Sequence, residues 1–332
     1  MFDYSGCIHM HSEYSFDGLR TPEEIISSAN SCGLDYIIIT DHFSLEAKKY
    51  EGWHRNTLLI AGEEISPNKN HYLAFNIDKA VIADRTESNP QNYIDDVNRA
   101  GGFGFIAHPD HIGNRKFGVN PYTWINWDIT GYSGFSVWDL QTDWQETLKG
   151  PLTAVMSYLF PAYFLKGPKK ETLERWDKIN IGAEQLKYGI GEIDNHEAVK
   201  KYFKFIKAKI FPFDVAFRTI RTHILLEEPL SRKKEDIGRV LEALRLGSSY
   251  ISNDYFADPK GGFVFKVSKG KVSVRVPRRA LIKIIKDGKK IIEKISDGIE
   301  ISGAEKGIYR CEIFLKKYFY HPWIFSNPIR MD

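Results

Sequence analysis

The strongest constraint on the fold is the alternation of short apolar segments with amphipathic ones along the first two thirds of the chain. The apolar segments predicted as strands are residues 6–10, 36–40, 58–61, 71–77, 104–107, 134–138 and 188–193. This rhythm is typical of βα units, in which helices cover a mainly parallel sheet. We therefore expect an α/β protein, and 332 residues are enough to build one large domain or two.

Helix boundaries are marked between these segments. Thr21-Pro22 is a cap followed by proline at the first helical position, and Gly33 closes that helix. Asn89-Pro90 begins a second helix, which Gly101 ends. An amphipathic pattern predicts a further helix over residues 233–246.

Two regions depart from the βα pattern. Residues 140–187 are rich in aromatic side chains and include a predicted helix over 170–179. We interpret them as an inserted cap that packs its aromatics on the first domain, with a substrate lid or a membrane-surface patch as alternatives.

Residues 263–332 contain short alternating segments typical of strands, at 263–267, 272–276, 282–286, 291–295 and 308–315. Asp287-Gly288 is a hairpin turn signal between two of them. These features predict a small all-β sandwich. The predicted domains are therefore residues 1–255 and 256–332.

Residues that bind metals recur at the ends of the predicted strands. They are His9, His11, Asp17, His42, Glu64, His71, His108, Asp194 and His196. An α/β barrel presents its active site at this end of its strands. Mixed imidazole and carboxylate ligation suits zinc, manganese or iron, and the set is large enough for two or three divalent ions.

The order of these residues closely resembles the PHP (polymerase and histidinol phosphatase) superfamily over roughly residues 5–255. The matching motifs are His9-x-His11, Asp17-Gly18, Thr40-Asp41-His42, Gly62-Glu63-Glu64-Ile65-Ser66, His71, Ala107-His108-Pro109 and Asp194-x-His196. The resemblance implies a distorted (β/α)7 TIM-like barrel, here followed by the β-sandwich. It also implies a trinuclear metal site that hydrolyses phosphoesters.

The resemblance further assigns the ligands to three sets. These are His9, His11, Glu64 and Asp194; Glu64, His71 and His108; and Asp17, His42 and His196. Glu64 would bridge the first two ions. It is chosen over Glu63 because the family pattern is Gly-x-Glu, and strand alternation then turns Glu63 away. Asp194, His196, Glu64 and Asp17 are the expected catalytic residues.

Substrate contacts are predicted from residues near these motifs. The candidates are Arg20, Asp110, His111, Arg115 and His223. The two arginines could each make a bidentate contact with a phosphate. Asp41 is expected to orient metal ligands from behind them.

The function that these features favour is a phosphoesterase in which a metal-bridging hydroxide attacks phosphorus in line. The substrate would be a phosphorylated small molecule, a nucleotide or an oligonucleotide. One alternative is a non-catalytic, regulatory metal-binding module. Another is a C–N hydrolase of the wider metal-dependent barrel type, although those enzymes typically use a lysine where this chain has Glu64.

Composition limits which binding partners and which cellular location we expect for this protein. A net charge of +3 is too small to indicate an obligatory nucleic-acid partner, although residues 269–294 are strongly basic. Three widely spaced cysteines imply no disulfide framework. The longest apolar segment, 152–165, is interrupted by Pro161 and is too short to span a membrane. With no signal-peptide pattern, we expect a cytoplasmic protein. The oligomeric state stays open.

Overall fold

The structure is a computed structural model that describes residues 1–202 and 206–332. Its strands are β1 (Phe2–Ile8), β2 (Tyr36–His42), β3 (Gly52–His54), β4 (Thr57–Ile65), β5 (Tyr72–Phe75), β6 (Phe103–Ile106), β7 (Gly134–Asp139), β8 (Tyr188–Glu192), β9 (Val199–Tyr202), β10 (Ile206–Lys209), β11 (Ile220–Leu226), β12 (Ser249–Asn253), β13 (Val264–Ser268), β14 (Lys271–Lys286), β15 (Lys289–Ser302), β16 (Gly307–Lys316), β17 (Tyr320–Ser326) and β18 (Ile329–Met331). Its helices are α1 (Pro22–Ser31), α2 (Pro90–Arg99), α3 (Leu140–Thr147), α4 (Pro151–Leu159), α5 (Pro161–Phe164), α6 (Lys170–Asn180), α7 (Phe213–Ala216) and α8 (Asp236–Arg245).

The helix starts predicted from capping residues are confirmed. The hydroxyl of Thr21 accepts a hydrogen bond from the Glu24 N–H, and the Glu24 carboxylate accepts one from the Thr21 N–H. Asn89 caps α2 in a similar way, since its side chain accepts from the Gln91 N–H. Local chemistry therefore sets where these two helices begin.

One large mixed sheet organises the molecule, in the order β13-β14-β16-β17-β12-β11-β1-β2-β4-β5-β6-β7-β8. Four pairs, β1/β2, β2/β4, β6/β7 and β7/β8, are parallel, as expected for βα units. By contrast, β5 is antiparallel to both β4 and β6. The reason is the short connection from β4 to β5, residues 66–71, because a parallel crossover needs about a dozen residues or more.

The predicted barrel is confirmed only as a mixed α/β sheet. Among the described residues, no strand ladder joins β8 back to β1. The segments that follow these two strands are instead linked by backbone hydrogen bonds. Ile193 N–H donates to Ile8 O at 3.1 Å, Asn195 N–H to His9 O at 3.3 Å, and His11 N–H to Asn195 O at 2.9 Å. These bonds hold the ends of β1 and β8 together.

The central strands β2 and β4 are buried on both faces. Along β2, Ile37 and Ile39 belong to one apolar cluster, while Ile38 belongs to another that also contains Val240 and Leu244 of α8. A strand covered on both faces reads as a continuous apolar run. Polar side chains therefore collect at the strand ends.

The C-terminal strands form a β-rich region, but they do not stand apart as a separate sandwich. They continue the sheet of the first region, because β12 pairs with β11 on one side and with β17 on the other. Without β17, the backbone groups on the outer edge of β12 would lack partners. The predicted strands 272–276 and 282–286 are one long strand, β14, with a register shift between Arg275 and Ala280. The predicted turn at Asp287-Gly288 is confirmed, and both of its residues have positive φ.

The insertion over 140–187 contains α3 to α6, and its predicted helix over 170–179 is confirmed as α6. The guanidinium of Arg310 on β16 makes a bidentate contact with the Asp177 carboxylate of α6, at 2.6 and 2.7 Å. Such planar pairs combine charge with fixed geometry. The insertion is thereby fastened to the C-terminal strands.

A buried ionic network ties the N-terminus to β11 and β12. His223 lies with Nδ1 2.8 Å from the Asp3 carboxylate and Nε2 3.2 Å from that of Asp254. The Tyr250 hydroxyl donates to Asp3, and Arg221 lies 3.4 Å from Asp254. Burial lowers the pKa of His223, but the two carboxylates outweigh it and raise the pKa to about 9.

We expect His223→Gln to lower the free energy of unfolding by about 3 kcal/mol near neutral pH. A histidine with a raised pKa stabilises the folded state fully when the pH is below its ordinary pKa. This stabilisation is lost as the pH rises through the pKa that the histidine has in the folded state. The deficit of the variant should therefore shrink between about pH 6.5 and about pH 9. Urea unfolding across this range measures it, with His54→Gln as control. An unchanged deficit at high pH would contradict the charged network.

Candidate metal centre

His9 and His11 reach the site through a break in β1. The predicted strand over 6–10 ends at Ile8, because His9 has a φ of 68° in the left-handed region. His108 after β6 and Asp194 after β8 also have positive φ, of 24° and 42°. Such backbone costs about 1–3 kcal/mol at a residue other than glycine and is concentrated at functional sites. All three strand ends thus turn sharply at the same place.

Glu64, near the end of β4, lies at the centre of the site. Its Oε2 is 3.1 Å from His9 Nε2 and 3.4 Å from His11 Nε2. Its Oε1 is 2.7 Å from His71 Nδ1 and 3.2 Å from His108 Nε2. His42 Nδ1 lies 3.0 Å from the same Oε2, so one fully buried carboxylate faces five imidazoles, three at Oε2 and two at Oε1.

Glu63 points to the other face of β4, as strand alternation predicts. Its Oε2 accepts a hydrogen bond from the Val81 N–H at 2.8 Å, and its Oε1 is buried without a partner. Burial raises the pKa of Glu63 to about 8. The pKa values of the two adjacent glutamates are thus shifted in opposite directions, and Glu64 alone faces the histidines.

His71 reaches the site because β5 runs against its neighbours. It precedes the strand, unlike the other histidines, which lie at or beyond strand ends. The start of an antiparallel strand lies beside the ends of β4 and β6. The orientation of β5 therefore places His71 opposite Glu64.

Asp17, His42 and His196 form the third part of the site. The Oδ2 of Asp17 lies 3.2 Å from Nε2 of both His42 and His196. The Ser15 hydroxyl donates to the other Asp17 oxygen at 2.7 Å. The imidazoles of His11 and His196 are stacked with their centroids 4.1 Å apart, so this group adjoins the first.

The predicted ligand residues thus lie in three groups, each compact enough to hold a metal ion. The groups are His9, His11, Glu64 and Asp194; Glu64, His71 and His108; and His11, Asp17, His42 and His196. They match the sets implied by the family resemblance, except that His11 also adjoins the third. The Nε2 atoms of His9 and His11 are buried without a hydrogen-bond partner. A buried unpaired polar atom costs about 1–3 kcal/mol, and a bound cation would satisfy both. The residues therefore fit a metal.

The carboxylates of the site hold their negative charge. Burial raises the pKa of Glu64 and of Asp194, but the surrounding imidazoles outweigh it and bring both pKa values well below the ordinary range. Burial and two neighbouring histidines lower the pKa of His11 to about 3, so its ring is neutral and able to bind a metal. Nearby carboxylates overcome burial at His108 and His196 and raise their pKa to about 9. Metal binding would release those protons.

Residues behind the imidazoles set their orientation. The carboxylate of Glu192, at the end of β8, lies 2.8 Å from His9 Nδ1 and accepts the His108 N–H at 2.6 Å. The sequence interpretation missed Glu192, although its position two residues before Asp194 was a signal. Asp41, predicted to orient ligands, accepts from the N–H and the hydroxyl of Ser12 at 2.6 and 2.7 Å. It therefore holds the chain directly after His11.

A cavity of about 660 Å³ opens onto the three groups. Tyr122 lies over His71 with ring centroids 5.0 Å apart, and Phe16 stacks on His42 at 4.6 Å. Arg85 and Lys116 also line this cavity. The volume falls within the range of small-molecule sites, and the wall combines aromatic rings and these two cations with the carboxylates of the metal-binding groups.

Of the predicted substrate contacts, the structure brings only His111 to this cavity. Arg20 pairs with Glu24 and Glu197. Asp110 pairs with Arg175 and lies in a neighbouring cavity of about 280 Å³. Arg115 is exposed and does not line the larger cavity, and His223 belongs to the network with Asp3. Sequence reasoning missed Arg85 and Lys116, which carry no motif.

We expect Glu64→Gln to lower metal affinity by at least about 100-fold, because it removes the anion shared by two groups. Glu63→Gln should retain the metal. Because the pKa of Glu63 is raised by burial, the unmodified chain loses stability as the pH rises from about 4.5 to about 8, and Glu63→Gln should lose less over this range. Metal analysis after dialysis, with thermal unfolding, measures both effects. Metal loss in Glu63→Gln alone would contradict the assignment of the centre.

Comparison with known proteins gives one family match, since residues 8–107 match the PHP domain. No curated protein matches the chain. Among solved structures, a two-domain protein from Bacteroides vulgatus ATCC 8482, containing a predicted PHP-like metal-dependent phosphoesterase, is 16% identical over 99% of this chain and 95% of its own, with a TM-score of 0.45. A proposed metal-dependent phosphoesterase from Bifidobacterium adolescentis ATCC 15703 is 15% identical over 61% of this chain and 92% of its own, with a TM-score of 0.36. The family match thus covers residues 8–107, less than half of the chain.

Proposed function

We propose that this protein is a metal-dependent phosphoesterase. The observation that carries the proposal is Glu64, a buried carboxylate facing five histidines on the floor of an open cavity. A purely structural metal site is closed, whereas a catalytic site keeps open positions for water and substrate. The cavity over these groups favours the second arrangement.

The three groups would hold two or three divalent ions, with zinc, manganese or iron suited to their mixed nitrogen and oxygen donors. When bound, such ions supply an activated water and polarise the phosphoryl oxygens. Glu64 belongs to two of the groups, so it would help to hold two of the ions. Asp17, Asp194 and His196 line the cavity and belong to the same groups, so they are the expected catalytic residues with Glu64.

His111 has a positioning role in this proposal. Its Nδ1 lies 3.3 Å from the Tyr122 N–H, and its Nε2 lies 2.9 Å from the side-chain oxygen of Gln145. Burial and the neighbouring His108 lower its pKa to about 4, so the ring is neutral near pH 7. With both nitrogens engaged, His111 fixes the wall that carries Tyr122 and does not act as an acid.

Arg85 and Lys116 would bind the substrate phosphate, because they are the arginine and the lysine that line the cavity among the described residues and belong to none of the metal-binding groups. The aromatic walls and the volume suit a phosphorylated small molecule, a nucleotide or the end of an oligonucleotide. A stable nucleic-acid complex is not part of the proposal.

Two other functions are tested by the same experiments. A non-catalytic metal-binding module would bind ions without turnover. A C–N hydrolase of the wider barrel type would use a lysine between its metals, and here Glu64 has that position. The carboxylate favours phosphoester chemistry.

We expect the protein to release phosphate from an aryl phosphate or a nucleotide with manganese or zinc, and to lose this activity with a chelator. Asp194→Asn should reduce kcat by at least about 100-fold, because it removes an anion shared with His9 and His11. The surface variant Asp95→Asn is the control. Metal binding without turnover above Asp194→Asn would instead support the non-catalytic module.

We expect Lys116→Met and Arg85→Met each to raise KM about tenfold, the loss of roughly 1.4 kcal/mol of phosphate binding. Arg115→Met is a matched control, since Arg115 is adjacent and exposed but does not line the cavity. Steady-state kinetics with one substrate separates KM from kcat. An equal effect of Arg115→Met would contradict the assignment.

A further inference from the structure

The insertion exposes apolar side chains on a helix that buries a polar one. In α4, Leu152 is 75% and Leu159 59% exposed, whereas Ser157 is fully buried. Val155, Met156, Tyr158 and the following Phe160 are exposed as well. An ordinary surface helix has the opposite arrangement, with apolar residues turned to the core. α4 therefore presents an apolar face that nothing in the described chain covers.

A second exposed apolar group lies on the turn between β16 and β17. Tyr318 is 87% and Phe319 77% exposed, and Tyr320 is also exposed. The two groups adjoin, because the ring of Tyr163 on α5 packs edge-on against His321, next to Tyr320, with centroids 5.7 Å apart. Two elements far apart in sequence thus form one surface. We call it the apolar surface, made of Leu152, Val155, Met156, Tyr158, Leu159, Phe160, Tyr163, Tyr318, Phe319 and Tyr320.

The two segments that carry the apolar surface are basic, and one of their lysines, Lys169, pairs with Glu146 outside them. Residues 149–170 contain four lysines and no acidic residue, and residues 316–321 contain two lysines and no acidic residue. Lys149 and Lys166 in the first segment are exposed, as are Lys316 and Lys317 beside Tyr318. Apolar and aromatic side chains rimmed by lysines are typical of segments that lie in the interface of an anionic membrane.

We propose that the apolar surface binds the face of an anionic lipid bilayer, with its apolar side chains in the interface and its lysines on the headgroups. No helix of the described residues is long and apolar enough to cross a membrane. α4 itself has nine residues, which span about 14 Å against a hydrocarbon core of about 30 Å. The binding is therefore peripheral.

A second copy of the chain fits this surface less well than a membrane does. In a symmetric dimer the same patch meets itself, so the lysine rims of both copies would face each other. Anionic headgroups instead complement the lysines, each of which contributes about 1 kcal/mol near such a surface. The exposed lysines of the two segments, Lys149, Lys166, Lys316 and Lys317, thus favour lipid.

The position of the apolar surface relates it to the candidate metal centre. Trp144, Gln145 and Leu148 of α3 and its C-terminal end line the large cavity, and α4 follows directly. The ammonium group of Lys116, on the cavity wall, donates to the Lys149 carbonyl oxygen at 2.6 Å. A bilayer on the apolar surface would therefore lie beside the cavity. The membrane binding itself does not depend on the proposed phosphoesterase activity.

The test is cosedimentation of the full chain with vesicles of phosphatidylcholine alone and of phosphatidylcholine with phosphatidylserine. We expect binding to the anionic vesicles, weakened by salt because exposed charges are screened. Leu152→Ser with Leu159→Ser should weaken binding by at least about tenfold, and so should Phe319→Ser. Lys316→Glu with Lys317→Glu should weaken binding to the anionic vesicles selectively.

The matched control is Ile291→Ser with Ile295→Ser, which replaces two half-exposed apolar residues of β15 outside the apolar surface. It should bind as the unmodified chain does, and thermal unfolding should show all variants folded. The proposal fails if the chain ignores anionic vesicles, or if the control variant loses binding to the same degree. A dimer that dissociates in Leu152→Ser with Leu159→Ser, without vesicle binding, would also overturn it and assign the surface to self-association.

Discussion

The buried carboxylate of Glu64 is the interaction on which the rest of the site depends. An ionised carboxylate without water is stable only beside compensating charge, since its desolvation costs several kcal/mol even after relaxation. Glu64 is surrounded by imidazoles from the ends of β1, β2 and β6 and from the start of β5. Those ends must therefore meet at one place. The left-handed backbone at His9 and His108 is the conformational cost of that convergence.

The same convergence explains why the sheet has its irregular topology. The short connection after β4 reverses β5, and this reversal brings His71 to the edge where the other strands end. On the other side, the ends of β1 and β8 are joined by hydrogen bonds at His9 and Asn195, next to Asp194. The chain segments after β1 and β8 are thus joined by hydrogen bonds beside the groups that must be close. A regular closed ladder is not required for that.

Much of the candidate site could be predicted because its residues follow apolar segments whose ends lie on one edge of a sheet. The direction of β5 could have been inferred from the length of the preceding connection, but apolar patterning alone does not contain it. Arg20 and Asp110 were predicted as substrate contacts because a sequence does not show distant partners, here Glu197 and Arg175. Arg85 and Lys116 were missed because a sequence does not show which distant residues come to line a cavity. Their place on the cavity depends on folding, since neither belongs to a motif.

The insertion shows how one apolar region divides between two environments. Trp144 and Trp176 are buried and pack on the core, as the interpretation of a cap requires. The side chains of α4 face outward, and the segment from residue 149 to 170 contains only positive charges among its ionisable acidic and basic groups. Packing on the core alone does not account for the exposed leucines of α4. Contact with a lipid surface would account for them, and the Lys116–Lys149 contact links the residues before α4 to the wall of the cavity.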